Sequence, residues 1–89
     1  MAFVYFLVAK LNNNISYIGW TNDLKKRIKL HNDGKGAKFT RGRKWKLIYF
    51  EILNNKSDAL KREHVLKKNR KIRNYIKKMY SKKNILDEK

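Results

Sequence analysis

Residues 16–28, SYIGWTNDLKKRI, contain the change from a strand pattern to a helix pattern on which the fold depends. The first five residues of this stretch combine aromatic and β-branched side chains, which favour a strand. Asn22 is the predicted N-cap of the following helix, and Asp23 supplies the negative charge that a first helical turn favours. A stripe at spacings of three and four then consists of Leu24, Arg27, Ile28 and His31. Because this stripe includes an arginine and a histidine, the segment is either an ordinary strand-to-helix connection or the rim of an active site.

The segments before and after this stretch predict two more strands. Residues 2–11 (AFVYFLVAKL) are apolar on both alternating faces, which is typical of a central strand covered on both sides. The asparagines at positions 12–14 predict a hairpin turn, followed by a second strand over residues 15–20. Residues 47–52 predict a third strand, with Ile48, Phe50 and Ile52 on one face and Leu47, Tyr49 and Glu51 on the other.

The length of the hairpin loop decides whether two tyrosines meet. A three-residue loop places Leu11 opposite Ile15 and puts Tyr5 and Tyr17 on the same face of the sheet. A two-residue loop would instead put the two tyrosines on opposite faces, because side chains alternate along a strand.

The C-terminal half predicts two further helices. Ser57 and Asp58 predict the start of the second helix, and the pattern changes phase near Asn69, which indicates a break before the third. The two stripes are Ala59, Leu60, Glu63, Leu66 and Arg70, and then Ile72, Tyr75, Ile76 and Met79. The order β-β-α-β-α-α predicts an α+β fold on a small antiparallel sheet. We expect residues 1–80 to form a single domain and residues 81–89 a frayed C-terminal tail.

The charge of the chain predicts a polyanionic partner. Lysine and arginine number 24 against 7 aspartate and glutamate residues, which gives a formal net charge of +17. Self-repulsion of this size destabilises a compact state unless a polyanion relieves it, so we expect the chain to bind nucleic acid. Residues 34–46 (GKGAKFTRGRKWK) form a predicted cationic loop with six basic residues and no acidic one.

Composition excludes several other classes of protein. The absence of cysteine excludes a disulfide scaffold, an iron–sulfur cluster and a thiolate zinc site, and two histidines are too few for a histidine cage. The apolar segment at residues 2–9 is far too short to span a membrane and has no basic region before it. We therefore expect a cytoplasmic protein without a membrane partner or a small-molecule cofactor, and a monomer, because no pattern resembles a dimer seam.

Glu63 lies at an unusual position for an acidic residue in its predicted helix. The other acids lie at helix starts, in a turn, on a strand or in the tail: Asp23, Asp58, Asp33, Glu51, Asp87 and Glu88. Glu63 occupies the apolar stripe of its helix and therefore needs a cation. That cation is Lys67 one turn later, Arg27 in an internal ion pair, or a divalent metal whose other ligands are water and phosphate.

The basic and aromatic candidates each allow two interpretations. Arg27 either extends along the core or grips a phosphate with its planar set of donors. His31 either stabilises the last carbonyls of its helix or carries a proton. Tyr5 and Tyr17 are either core or rim aromatics, or part of a site, and His64 is a surface residue.

Taken together, these residues resemble the GIY-YIG nuclease domain. The residues that carry the likeness are Val4-Tyr5, Tyr17-Ile18-Gly19, Arg27, His31 and Glu63, in this order and at these spacings. The phrase YIGWTNDLKKRIKLHNDGKGAKFTRG, followed by KLIYFEI and ALKRE, is similar to the small stand-alone members of that superfamily, uncharacterised protein family 0213. The resemblance covers residues 2–80, nearly the whole chain.

The resemblance implies a three-stranded antiparallel sheet flanked by helices and an endonuclease that hydrolyses DNA with Mg²⁺ or Mn²⁺. By this likeness Tyr17 would act as the general base or position the attacking water, with Tyr5 beside it. Arg27 would stabilise charge on the scissile phosphate, His31 would assist proton transfer or phosphate contact, and Glu63 would hold the metal. An ordinary tyrosine has a pKa of about 10, so a tyrosine base needs a cation nearby.

Three positions depart from the family pattern. The first motif reads Phe3-Val4-Tyr5, so only its tyrosine is retained, and Trp20 stands where some members, including a nuclease of DNA repair, carry a lysine. A supporting phosphate contact is therefore missing or comes from another residue, such as Lys38 or Arg41. The residues expected to contact nucleic acid are Lys26, Lys35, Lys38, Arg41, Arg43 and Lys44. The alternative function is a basic DNA- or RNA-binding module of the same fold that cuts slowly or not at all.

Overall fold

The computed structural model describes residues 1–85, and residues 86–89 lie outside the described part of the chain. The elements are β1 (Ala2–Ala9), β2 (Asn12–Thr21), α1 (Leu24–Asn32), β3 (Trp45–Leu53), α2 (Lys56–Lys68) and α3 (Arg70–Tyr80), with a short 3₁₀ turn at Lys38–Thr40. This confirms the predicted α+β fold and the order β-β-α-β-α-α. The strands form one antiparallel sheet in the order β2-β1-β3.

Strand β1 lies in the middle of the sheet because both of its faces are apolar. Its even-numbered residues, among them Val4 and Phe6, are buried in a cluster with Ala59 and Leu66 of α2 and Ile76 of α3. Its odd-numbered residues, Tyr5, Leu7 and Ala9, are buried in a second cluster with Ile28, Trp45 and Leu47. Helices therefore cover both faces of the sheet, and Tyr5 lies on the face that α1 covers.

The predicted turn at residues 12–14 is wrong, because the β1–β2 turn is Lys10-Leu11. Ala9 pairs with Asn12, and the register then shifts so that Val8 pairs with Ser16. The side chain of Asn12 accepts a hydrogen bond from the backbone N–H of Asn14 at 3.0 Å, which holds the asparagines in an irregular stretch of β2.

This irregular stretch restores the alternation that a two-residue turn alone would have reversed. Leu7 pairs with Tyr17 and Tyr5 with Gly19, so Tyr5 and Tyr17 share one face of the sheet. The shared face is the one predicted for a three-residue loop, although the predicted pairing of Leu11 with Ile15 does not occur.

Strand β3 contains a second irregularity. Phe6 pairs with Tyr49 and Leu7 with Leu47, so Ile48 is an extra residue between two pairs. Ile48 and Tyr49 both pack in the cluster under α2 and α3, whereas Leu47 and Phe50 pack in the cluster under α1. The predicted grouping of Ile48 with Phe50 and of Leu47 with Tyr49 is therefore wrong, because a bulge interrupts strict alternation.

The helices begin at caps that lie slightly apart from the predicted ones. Asp23, not Asn22, is the N-cap of α1, and its carboxylate accepts a hydrogen bond from the Lys26 N–H at 3.2 Å. Asn55 caps α2, before the predicted start at residues 57–58. Asn69 separates α2 from α3 and caps α3, which confirms the predicted break. None of the helices in residues 1–85 is long and apolar enough to cross a bilayer.

The C-terminal segment was predicted to fray from residue 81. Residues 86–89 of that segment, including Asp87 and Glu88, lie outside the described residues. Before them, Ile85 packs against the cluster under α1. The remainder of that expectation, and the division into residues 1–80 and 81–89, stays a prediction.

Candidate active site

Tyr5 and His31 form the centre of a polar cluster inside the sheet face that α1 covers. Tyr5 is 1% exposed and His31 is fully buried, and the Tyr5 hydroxyl lies 2.6 Å from His31 Nε2. Gly19, paired with Tyr5 across the β1–β2 ladder, makes room for this contact. A Cβ atom at position 19 would lie 2.5 Å from the Tyr5 hydroxyl oxygen. The glycine of the YIG motif is therefore needed for close approach of the tyrosine.

The second nitrogen of His31 contacts Thr40 in the basic loop. His31 Nδ1 lies 2.8 Å from the Thr40 hydroxyl, and that hydroxyl donates to the Ala37 carbonyl at 2.9 Å. A hydroxyl has one proton, so Thr40 accepts from His31 and Nδ1 carries the imidazole proton. His31 Nε2 is then an acceptor, and Tyr5 donates to it. The hydrogen bonds therefore run in one direction: Tyr5 donates to His31, His31 donates to Thr40, and Thr40 donates to Ala37.

The environment keeps both ring groups uncharged at neutral pH. Burial, followed by the nearby Arg27 charge, lowers the pKa of His31 to about 4. Burial also raises the pKa of Tyr5 to about 12, against the opposing effect of its hydrogen bond with Arg27. A neutral imidazole accepting from a neutral phenol is consistent with the hydrogen-bond directions.

Arg27 lies one helical turn before His31 and reaches the same tyrosine. Its Nε is 3.5 Å from the Tyr5 hydroxyl, and this contact raises the pKa of the guanidinium. The side chain is half-buried, so Tyr5 fixes its position while the guanidinium keeps donors for a further acceptor.

Tyr17 forms the outer part of the cluster. Its ring centroid lies 5.0 Å from that of His31 and 6.3 Å from that of Tyr5, and it is half-buried. Phe39 of the 3₁₀ turn stacks on its ring, with centroids 6.2 Å apart and planes 20° from parallel. The structure thus brings together Tyr5, Tyr17, Arg27 and His31.

Glu63 lies on α2, which packs mainly on the other face of the sheet. Its carboxylate pairs with Lys67 at 3.2 Å, and its side chain is 15% exposed. The predicted alternative of a Lys67 partner is therefore present, and no Arg27–Glu63 ion pair occurs within residues 1–85. Glu63 still acts on the cluster, because its negative charge contributes to the raised pKa of Tyr5. Lys67 lines one depression together with Tyr17, which places this part of α2 beside the edge of β2.

The donor set limits the kind of metal site that the chain can form. Residues 1–85 contain no group of three or more His, Cys, Asp or Glu side chains arranged to hold a metal ion. Glu51 is already bound by Arg62 at 2.7 Å and by the Tyr49 hydroxyl at 2.6 Å. In residues 1–85, Glu63 is the carboxylate whose charge affects the pKa of Tyr5. A single carboxylate fits a hard cation that takes one carboxylate, water and substrate phosphate.

The predicted nucleic-acid contacts are exposed, and most lie in the loop between α1 and β3. These residues are Lys26 in α1 and Lys35, Lys38, Arg41, Arg43 and Lys44 in the loop. The loop is fastened to the site at two points: Thr40 bonds His31, and the buried Trp45 donates its ring N–H to the Thr40 carbonyl at 2.9 Å. The loop is therefore anchored at Thr40 beside His31.

Sequence reasoning did not identify Thr40, Gly36 or Phe39. A Cβ atom at Gly36 would lie 2.3 Å from His31 Nδ1, so this loop glycine lets the backbone pass the imidazole. Thr40 is the one uncharged polar side chain between residues 35 and 44. That contrast within a cationic loop is the signal that could have singled it out. Trp20 packs against the cluster under α2 and α3, and the Lys56 ammonium lies 5.1 Å from its ring.

Comparison with known proteins gave consistent matches. The model of the GIY-YIG catalytic domain matches residues 1–84. A UPF0213 protein of Clostridium perfringens is 54% identical over 69 residues, which are 76% of this chain and 72% of that protein. The UPF0213 protein YazA of Bacillus subtilis is 48% identical over 65 residues, 72% of this chain and 66% of that protein. A UPF0213 protein of Haloquadratum walsbyi is 41% identical over 64 residues, 71% of this chain and 72% of that protein. No solved structure matched the chain.

Proposed function

The chain belongs to the GIY-YIG family, a superfamily of nucleases, and from this premise we propose that it is a divalent-metal-dependent DNA endonuclease. The observation that carries the proposal is the convergence of Tyr5, His31, Arg27 and Tyr17 within hydrogen-bond or ring contact. Phosphodiester hydrolysis needs a positioned nucleophile and cationic groups beside the phosphate, and this cluster offers both.

The two tyrosines have different roles in this proposal. Tyr5 is buried, donates a hydrogen bond to His31 and accepts one from Arg27, so it acts as a positioning residue that holds both side chains. Tyr17 is half-buried at the outer side of the cluster, where its hydroxyl can meet substrate. We assign to Tyr17 the orientation of the attacking water and removal of its proton.

Arg27 provides the fixed positive charge of the site. Its Nε is engaged by Tyr5, which leaves the two terminal nitrogens to bind oxygens of the scissile phosphate. The neutral state of His31 suits a group that accepts a hydrogen bond at Nε2, and its Nδ1 proton is held by Thr40. His31 therefore keeps Tyr5 in place and adds no second charge beside Arg27.

Glu63 is the residue that would hold the divalent cation. When bound, Mg²⁺ or Mn²⁺ supplies positive charge that stabilises the phosphate as its charge increases. Lys67 already pairs with the Glu63 carboxylate, so binding of the cation requires that this ion pair opens. Substrate phosphate can favour the opening, because it offers the Lys67 ammonium another anion.

The net charge of +17 supports binding that depends on phosphates and shows little sequence specificity. The described part of the loop presents lysine and arginine, which contact backbone oxygens without distinguishing bases. DNA is therefore proposed as the substrate class, with cleavage at many sequences.

The experiment is nicking of supercoiled plasmid with Mg²⁺, with Mn²⁺ and with chelator. The native protein is expected to nick only with a cation, and Glu63→Gln and Tyr17→Phe to lose at least about 100-fold in rate. Met79→Ala, at an exposed position of α3, is the control and keeps the native rate. Cleavage in chelator, or full activity of Glu63→Gln, would show that the metal assignment is wrong.

The second candidate is a nucleic-acid-binding module that does not cut. The Lys67–Glu63 ion pair favours it, because a carboxylate that keeps its lysine partner holds no metal. In that case the native protein binds plasmid and nicks none of the substrates in any cation. Lys67→Met separates the two functions, because removal of the competing charge lowers the Mg²⁺ concentration that a nuclease needs and changes nothing in a module that does not cut.

A further inference from the structure

Phe39 is an exposed aromatic residue at the entrance to the candidate active site. Its side chain is 59% exposed, although the neighbouring Thr40 is fully buried. One side of the ring packs on Tyr17, and the Trp45 ring lies 6.2 Å away. The exposed part of the ring is therefore accessible to a ligand.

The surface next to Phe39 is a depression of about 270 Å³ whose lining combines aromatic and cationic side chains. Its lining residues are Ser16, Tyr17, Ile18, Phe39, Lys67 and Arg73. The Arg73 guanidinium donates to the carbonyls of Leu66 and Lys67 at the end of α2, which fixes its position. The depression thus has an aromatic wall from β2 and the loop, and a cationic wall from α2 and α3.

This pairing of walls suits one nucleotide of a single strand. A nucleobase stacks on an aromatic ring, and the adjoining phosphates bind lysine and arginine. A base inside a duplex has both faces covered by its neighbours, so only an unpaired or flipped base can stack on Phe39. Because the same depression includes Tyr17, a base seated there lies beside the group that is assigned to the attacking water.

We propose that Phe39, with Tyr17 behind it, is a stacking site for one unpaired nucleobase, and that the enzyme prefers substrates with an unpaired nucleotide beside the cut. The assignment of that nucleotide to the cleavage position rests on the proposed nuclease function. The stacking site itself does not, because it can be measured as binding.

The test is fluorescence anisotropy of labelled 12-nucleotide strands in chelator, so that no cleavage occurs. Three ligands of equal length are compared with the full chain: a single strand, the corresponding duplex, and a strand built of abasic units. Phe39→Ala is expected to weaken single-strand binding about tenfold, within the range typical of base stacking. Its affinity for the duplex and for the abasic strand is expected to stay within about twofold of native.

Conservative variants separate stacking from a loss of local structure. Phe39→Trp keeps a ring and is expected to bind the single strand at least as tightly as native, whereas Phe39→Leu keeps apolar bulk and loses affinity as Phe39→Ala does. Tyr75→Ala is the matched control, since Tyr75 is an equally exposed aromatic residue at 60% in α3. Urea unfolding of each variant identifies any that has lost its fold.

Several outcomes would overturn the stacking site. One is an equal loss on single strand, duplex and abasic strand. Another is unchanged binding by Phe39→Ala of both the DNA single strand and an RNA strand of the same sequence, and a third is the same loss in Tyr75→Ala. A strand of RNA with the same sequence forms a further arm, and a loss confined to RNA would contradict DNA as the substrate without contradicting the stacking site. If Phe39 fails these tests while the native protein nicks plasmid with Mg²⁺, the proposed nuclease function stands and the substrate preference falls.

Discussion

At the scale of the residue, His31 shows most clearly how burial and hydrogen-bond partners determine the chemical state of a side chain. The sequence left two interpretations of this histidine, a helix-end residue or a proton carrier. The structure buries it completely and gives both ring nitrogens a partner, Tyr5 on one side and Thr40 on the other. We therefore propose that His31 is a neutral positioning group, because its burial makes protonation costly.

This burial predicts a stability that depends on pH. The unfolded chain takes up a proton on His31 below its ordinary pKa of 6.5, whereas the folded chain does so only near pH 4. The free energy of unfolding therefore falls as the pH is lowered from 7 to 4, by about 3 kcal/mol from this residue. Urea unfolding at several pH values measures the fall.

Other groups also titrate in acid. The contribution of His31 is therefore measured as the difference in the pH dependence of stability between the native protein and its variants. We expect His31→Gln to lose about 3 kcal/mol less than native over the same range. His64→Gln, at an exposed position, is expected to follow the native curve. Parallel curves for native and His31→Gln would contradict a neutral buried imidazole.

Thr40 provides a second residue-scale prediction. Thr40→Val keeps the shape of the side chain and removes the hydroxyl, which leaves His31 Nδ1 and the Ala37 backbone N–H without this partner. We expect a loss of about 1–3 kcal/mol in the free energy of unfolding. Thr40→Ser, which keeps the hydroxyl, is expected to lose less.

A readout specific to the tautomer accompanies this variant. Nitrogen-15 NMR of His31 in the native protein is expected to show the proton on Nδ1 at pH 7, and Thr40→Val to weaken that preference. A proton on Nε2 in the native protein would mean that the hydrogen bonds between Tyr5, His31 and Thr40 run in the opposite direction.

At the scale of the element, the sequence predicted strands, helices and their order better than the pairing between strands. Apolar periodicity is local, so it indicated β1 as the central strand and the break at Asn69. The bulge at Ile48 depends on the partner strand, and nothing in the local pattern of β3 indicates it. The hairpin was misplaced for a related reason, because the asparagines at 12–14 suit a turn and an irregular strand equally.

The residues of the candidate site were likewise easier to predict than the contacts between distant segments. Tyr5, Tyr17, Arg27 and His31 were predicted together through the family resemblance, and the structure brings them together. The contacts of Thr40 and Gly36 with His31 join the loop to α1 and could not be predicted, because they depend on how the loop folds back. Glu63 was correctly expected to need a cation, but sequence alone could not choose between Lys67 and a metal.

An element-scale prediction concerns the attachment of α2 to β3. The Arg62 side chain donates twice to Glu51, at 2.7 and 2.9 Å, and the Tyr49 hydroxyl donates to the same carboxylate at 2.6 Å. Glu51→Gln weakens this partly buried network, and we expect a loss of about 1–3 kcal/mol in the free energy of unfolding, measured in urea.

The matched control is an exposed ion pair of similar length. Asp33→Asn breaks the Lys29–Asp33 pair, whose side chains are 75% and 43% exposed, and is expected to change stability much less than Glu51→Gln does. Equal effects of Glu51→Gln and Asp33→Asn would mean that the network contributes no more than a surface ion pair.

At the scale of the whole molecule, the charge of +17 predicts strong dependence of binding on salt. The logarithm of the binding constant for duplex DNA is expected to fall linearly with the logarithm of salt concentration. Lys38→Ala and Arg41→Ala are each expected to reduce the magnitude of this slope by about 1. Anisotropy titrations in chelator measure the slope, and Lys82→Ala is the control outside the loop. A native slope near zero would contradict binding through phosphates.

The central claim is that Arg27 and its neighbours form a phosphodiesterase site, and nicking of supercoiled plasmid by Arg27→Ala tests it most directly. Lys25→Ala is the matched control, because it removes one positive charge from the same helix at an exposed position. With Mg²⁺ present, we expect native protein and Lys25→Ala to nick at rates within a few-fold of each other, and Arg27→Ala to be at least about 100-fold slower. Equal nicking by Arg27→Ala and Lys25→Ala would contradict the account, since it would place the cleavage outside the cluster of Tyr5, Tyr17, Arg27 and His31.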